Sequence, residues 1–248
     1  MNRQAQAAIL FLTGAALLHA GFTDLYLRYV KAGLQPLLLA SGAVLIVTAL
    51  ATVWYEWRGR RSGETHEHGE AHDHGEGHVH REPRVSWLLV LPLLALILVA
   101  PPALGSYSAM RTGTALQQPY GFDKLPASGP LDLNVVDYAT RAVYDRGRHM
   151  AGRPIRITGF VALDRTGAPY LVRMALNCCA ADAQPVKIAL TGTIPPVLQP
   201  DKWLQVTGNY TARQTKDPVN NGPIPYFQVT AATPVPTPKD PYDESWNK

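Results

Sequence analysis

His66, His68, His72, His74, His78 and His80 fall within fifteen residues, interleaved with Glu64, Glu67, Glu70, Asp73 and Glu76. Imidazole is the commonest side-chain ligand for zinc, copper, nickel and iron near neutral pH, and carboxylates add oxygen donors. Such a run collects divalent metal weakly and at more than one site. The same composition also describes a solvated loop with incidental histidines. A second reactive cluster is Asn177-Cys178-Cys179-Ala180-Ala181-Asp182, which holds both cysteines of the chain. Neighbouring Cα atoms sit about 3.8 Å apart, below the usual ~4.4–6.8 Å of a structural disulfide. In a regular strand the two thiols would point to opposite faces, so a shared ligand requires a turn. Three chemistries stay open. Both thiolates bind metal with Asp182 and His149 or a partner's residue; the pair is redox-active; or one Cys is core and its neighbour incidental.

Three apolar stretches must position these groups. Residues 7–27 are interrupted only by His19 and Asp24, residues 34–55 carry no charge, and residues 85–105 are charge-free and rich in Leu and Val. Crossing a hydrocarbon core of about 30 Å takes about 20 apolar residues, so each stretch predicts a transmembrane helix. The first is read as a retained helix, because its n-region has only Arg3 and Leu18-His19-Ala20 is a poor cleavage site. The His-rich loop then spans residues 58–84, within a transmembrane region of residues 1–105. Arg3, Arg58, Arg60, Arg61, Arg81 and Arg84 lie on one side of these spans, and Arg28, Lys31 and Arg111 on the other. The positive-inside rule puts the N-terminus and the His-rich loop in the cytoplasm and the C-terminal domain outside it. The formal charge of +4 contains no basic run, which argues against a nucleic-acid partner.

Within the spans, His19 and Asp24 are the intramembrane polar residues. His19 suits ion passage or a hydrogen bond to a neighbouring helix. Asp24 and Arg28 are four apart, so a helix would pair them on one face. Ala16 and Ala20 give a small-xxx-small edge for close helix packing. Pro36 fits the first turn of the second helix, Pro92 would kink the third, and Pro101-Pro102 would end it.

Residues 106–130 are rich in Gly, Pro, Ser and Thr without periodicity and read as an extended linker. Asp132 is the expected N-cap of a short helix over residues 134–146. Beyond it the period changes to two. Strands are expected over residues 154–163, 169–176, 184–190, 203–211 and 225–231, with Gly159 and Gly208 where a coiled sheet bends. The fold class is therefore membrane α, three transmembrane helices, plus a small β-rich C-terminal domain. That domain, residues 131–235, is expected to be an OB-like Greek-key barrel with an accessory helix, followed by a tail of residues 236–248.

Several of these segments occur together in one family. Arg28-Tyr29-Val30, Pro36-Leu37-Leu38-Leu39-Ala40-Ser41-Gly42, a Leu-rich span ending Val99-Ala100-Pro101-Pro102-Ala103-Leu104-Gly105, and Cys178-Cys179-Ala180-Ala181-Asp182-Ala183 with Trp203 and Gly208 appear in order. The chain resembles the bacterial membrane family described as a subunit of a two-component permease complex, with a double-cysteine C-terminal domain of unknown function. The resemblance implies a polytopic permease partner and a link to zinc homeostasis.

Together these readings predict a non-enzymatic accessory subunit in the bacterial inner membrane, in contact with lipid and a permease subunit. Zn²⁺ is the expected cofactor, held by Cys178, Cys179, Asp182 and the loop histidines. A membrane-anchored thiol redox protein is the alternative. No C-x-x-C, Ser-His-Asp or phosphate-cradling glycine loop supports an ordinary enzyme.

Overall fold

The computed structural model describes residues 3–62, 88, 90–99 and 101–243. They divide into two compact units, Met1–Tyr26 with Gly33–Pro101 and Leu27–Ala32 with Pro102–Lys248.

The first unit is built on two long helices, α1 (Arg3–Phe22) and α2 (Gln35–Ser62). Both are long and apolar enough to cross a membrane, and only 22% and 11% of their apolar windows are buried. Core helices of water-soluble proteins would be mostly covered. Their contact runs through small residues at heptad spacing: Ala7, Gly14 and Gly21 on α1, Gly42 and Ala49 on α2. A Cβ at Gly14 would lie 2.8 Å from Ile46 and 2.9 Å from the Gly42 carbonyl, so the backbones approach closely only because both positions are glycine. At the far end the Gln35 side-chain amide donates to the Gly21 carbonyl at 2.9 Å. The expected edge at Ala16 and Ala20 is thus replaced by Gly14 and Gly21, which the four-residue pattern overlooks.

Among the described residues two helices, not three, pass as candidate spans. Of the third stretch the described residues include α3 (Val90–Leu98), which contains Pro92. After Phe22 the chain tightens into a 3₁₀ helix, Asp24–Arg28. Both Asp24 and Arg28 lie in this helix, of about three residues per turn, and not in a longer α-helix.

The second unit is a β-barrel domain. Its strands are β1 (Leu131–Leu133), β2 (Ile155–Leu163), β3 (Pro169–Ala175), β4 (Gln184–Gly192), β5 (Trp203–Lys216), β6 (Pro223–Val235) and β7 (Tyr242–Asp243). Adjacent strands follow the order β1-β2-β5-β6-β4-β3-β7, and a further β2–β3 pairing closes the five central strands into a ring. All five expected strands are present. Three run past the alternating pattern, β4 by two residues and β5 and β6 by more, because those two pair through bulged stretches where alternation breaks down. Gly208 sits at one of these irregularities, and any side chain there would collide with the Gln228 carbonyl.

Two further helices serve the barrel. α5 (Val135–Tyr144) is capped by Asn134, whose side chain accepts from the Asp137 N–H at 2.6 Å. Asp132, the expected cap, instead belongs to β1 and pairs with Arg156 across the parallel β1–β2 ladder. Val135, Val136, Tyr138, Ala139 and Ala142 enter the main core with Ile155, Ile157, Val161, Leu171, Ile188 and Phe227. Tyr138 packs edge-on against Phe227 and donates its hydroxyl to the Tyr226 carbonyl at 2.6 Å. The expected linker contains α4 (Ser106–Arg111), whose Ala109 joins Phe160, Val172, Met174, Trp203 and Tyr242 in a second core. The expected tail contributes β7, which pairs parallel with β3. Residues 160–162 of β2 are buried on both faces because they separate the two cores.

Candidate functional site

β3 ends at Ala175, and the chain leaves the barrel before re-entering at Gln184 in β4. Within this excursion Ala180–Asp182 forms a single 3₁₀ turn that begins immediately after Cys179. The turn brings the Asp182 carboxylate back beneath the double cysteine. It accepts from the Asn177 N–H at 3.0 Å, the Cys178 N–H at 2.9 Å and the Cys178 thiol at 3.0 Å. One ligand atom from each of Cys178, Cys179 and Asp182 falls within 4.8 Å of the others. The turn required by the sequence argument therefore exists, and both sulfurs lie on the carboxylate's side. Both cysteines are free thiols; Cys178 is exposed and Cys179 half-buried.

A distant segment holds this excursion in place. Val30 forms an isolated antiparallel bridge with Cys179. The Lys31 N–H donates to the Cys178 carbonyl at 3.0 Å, and the Ala180 N–H donates to the Tyr29 carbonyl at 2.7 Å. Beneath them the Tyr242 hydroxyl donates to the Arg28 carbonyl at 2.9 Å and accepts from the Leu104 N–H at 3.3 Å. Sequence reasoning missed Tyr29, Val30 and Lys31 as part of the site. Arg28-Tyr29-Val30 carries part of the family resemblance, but its β-prone Tyr-Val pair is too short to read as a strand.

The electrostatics follow from this geometry. The Cys178 thiol is pushed up to about 11, first by its hydrogen bond to Asp182 and then by its neighbour Cys179. Desolvation acts to raise Asp182, but the Cys178 thiol and the N–H groups of Asn177, Cys178 and Cys179 outweigh it and hold the carboxyl below its ordinary range. The proton between Cys178 and Asp182 thus sits between two groups that a cation would bridge. Two sulfurs and one oxygen suit a borderline or soft divalent ion, and three donors leave a tetrahedral ion one position short.

Of the other expected site residues, the described ones are not gathered here. His149 lines a separate groove with Phe122, Arg141, Asp145 and Arg153, so it is not a fourth ligand to the cysteines. His19 lies exposed on α1 rather than turned onto α2, and Asp24 is also exposed. His66, His68, His72, His74, His78 and His80 fall outside the described residues.

Two family models cover nearly the whole chain. The DUF1980 N-terminal domain matches residues 5–115 and the DUF1980 C-terminal domain matches residues 115–243. Their seam falls inside the barrel unit, at the residue whose N–H donates to the Pro185 carbonyl. No curated protein matches the chain. From residue 5 to residue 243, transmembrane-type hairpin and double-cysteine barrel alike, the chain belongs to the DUF1980 family.

Proposed function

We propose that the protein is a non-enzymatic accessory subunit of a bacterial inner-membrane permease complex that handles divalent metal, Zn²⁺ first, through the Cys178–Cys179–Asp182 site and the histidine run 66–80. The observation that carries this reading is the convergence of three metal-competent atoms within 4.8 Å on an exposed turn. The excursion from β3 to β4 is anchored by Leu176, Ala180 and Ala183 against the second core, which leaves Cys178 exposed on its outer side.

Three crossings are supported by connectivity. Leu27–Ala32 and Pro102–Lys248 form one unit, so they occupy one side of any membrane that α2 crosses. The chain between them must therefore cross a second time, and residues 85–105, which include α3, are the apolar stretch available. With the basic residues biased toward the His-rich loop, the barrel is exported. An OB-type barrel is supported by the parallel β4–β6 pairing and the closing β2–β3 pair, with α5 as the accessory helix. A thiol held at about 11 must lose its proton for either chemistry, so the redox reading is set apart by the absence of a C-x-x-C pair and by the carboxylate that completes a mixed sulfur and oxygen donor set.

The test is isolation of the tagged full chain in mild detergent from a bacterial membrane, with metal analysis of what is recovered. A polytopic membrane protein and zinc should co-purify, and Cys178→Ser should lose the zinc while keeping the partner. Recovery of the chain alone and without metal overturns the reading.

A further inference from the structure

We infer that the Cys178–Cys179–Asp182 cluster is an open exchange site, which passes a thiophilic divalent cation to and from an imidazole or thiolate of another molecule, and not a closed centre that holds the barrel together. The inference rests on the metal reading above. Three features carry it.

The framework of the site needs no ion. Its turn is held by backbone and carboxylate hydrogen bonds: Asp182 accepts from Asn177 and Cys178, the Asp182 N–H donates to the Cys179 carbonyl at 3.0 Å, and Tyr29 and Lys31 clamp the two sides. Small domains that depend on structural zinc lack such a framework and are unfolded without metal. Nor do the cysteines fill either core. Both clusters of buried apolar residues are complete without Cys178 and Cys179.

The donor count is short by one. Among the described residues the group contains two cysteines and one aspartate and no further His, Cys, Asp or Glu. Structural zinc sites are almost always four-coordinate with protein ligands throughout, whereas sites that exchange or act on a ligand keep a position open. Here the exposed member is Cys178, so a donor from outside can reach the cluster. A preformed, solvent-facing, three-donor site is suited to associative ligand exchange, in which the incoming donor binds before the old one leaves.

The test uses the full chain in detergent with its six loop histidines replaced by asparagine, so that the run cannot compete, and Co²⁺ as the probe. Cobalt should give a near-ultraviolet thiolate charge-transfer band, and its visible bands should shift when imidazole is added. The metal-free chain should keep its near-ultraviolet circular dichroism and a cooperative melt. Visible bands that ignore imidazole, or a metal-free chain that has lost its cooperative melt, overturn the inference while leaving metal binding intact. Absence of any thiolate band removes the metal reading itself, and this inference with it. The imidazole response is read on intact cysteines, so it does not depend on a variant that folds.

Discussion

Lys187 Nζ lies 2.7 Å from Asp217 Oδ2, with both side chains sealed from solvent inside the barrel domain. The ammonium also donates to the Thr112 carbonyl at 2.8 Å, and the same carboxylate accepts from the Thr114 N–H at 2.8 Å. Asp217 Oδ1 takes the Val219 N–H at 2.8 Å. The pair therefore ties the chain after α4 to β4 and to the turn between β5 and β6. Two buried charges are tolerated because they pair with each other and with these further hydrogen bonds.

Removing the two partners should have unequal effects. Asp217→Ala strands a buried ammonium and two backbone N–H groups, and should cost about 3–5 kcal/mol. Lys187→Met leaves Asp217 its two N–H donors and should cost less. Chemical unfolding of the full chain in detergent, followed by near-ultraviolet circular dichroism, gives the order; equal losses would contradict it.

Gly14→Val should separate α1 from α2. Its Cβ would already lie under 3.0 Å from the Gly42 carbonyl, a backbone atom that cannot swing away. Gly59→Ala meets nothing within 4 Å and is the silent control. Cross-linking between cysteines introduced at positions 7 and 49 should fall several-fold in the first variant and not in the second.

Asp164 closes the turn between β2 and β3, accepting from Thr166 Oγ1 at 2.6 Å, the Thr166 N–H at 2.8 Å and the Ala168 N–H at 2.9 Å. Desolvation acts to raise its pKa, but these bonds win and lower it. A carboxyl depressed in the folded state stabilises above its unfolded pKa of about 4, and that contribution is lost as pH falls through the folded value. Asp164→Asn should therefore sit slightly below the parent at neutral pH and converge with it in acid. Melting midpoints between about pH 2 and 7 would show the convergence, and parallel curves would exclude it.

Lys31→Pro deletes the N–H that holds the Cys178 carbonyl, while Lys31→Arg keeps it. Loss of one such bond is worth about 1 kcal/mol, so zinc affinity should fall about five- to tenfold in the proline variant only. Competition with a chromophoric chelator reads this directly. Equal affinities would mean that the clamp does not position the cysteines.

Cysteines introduced at Gly33 and Lys239, in a chain whose native pair is replaced by serine, should label from the same side of the membrane, opposite to one at Arg58. Labelling of Lys239 from the side of Arg58 would remove the third crossing.

The sequence made the five barrel strands, the helix before them and the apolar stretch of α2 readable because each is long enough to show its own period. What it hid depends on partners far away in the chain. β1 and β7, at three and two residues, exist only because β2 and β3 offer free edges. Asp132 and Asn134 are both good caps by type, and strand pairing of Asp132 with Arg156 decides between them. The double cysteine was legible as chemistry, and its need for a turn followed from strand geometry. The clamp from Tyr29 to Lys31 was not, since three residues carry no pattern and their partners lie beyond any local window. Ala16 and Ala20 misled because helices that approach at a heptad repeat use positions seven apart, which here are Ala7, Gly14 and Gly21.

The Tyr242 hydroxyl reaches the Arg28 carbonyl across 214 residues of sequence. A ribosome adding about 5–20 residues per second needs roughly 10–40 s to cover that distance. The backbone partners of Tyr29 and Lys31, Ala180 and Cys178, are made earlier within that interval. The dicysteine turn can acquire its clamp only once residues 178–180 have been made, and the hydroxyl beneath that clamp arrives almost last. Maturation of the site is thereby tied to completion of the chain. A product truncated after residue 236 would carry every candidate ligand yet lack the Tyr242 buttress. Translation itself thus times the assembly of the Cys178–Cys179–Asp182 turn.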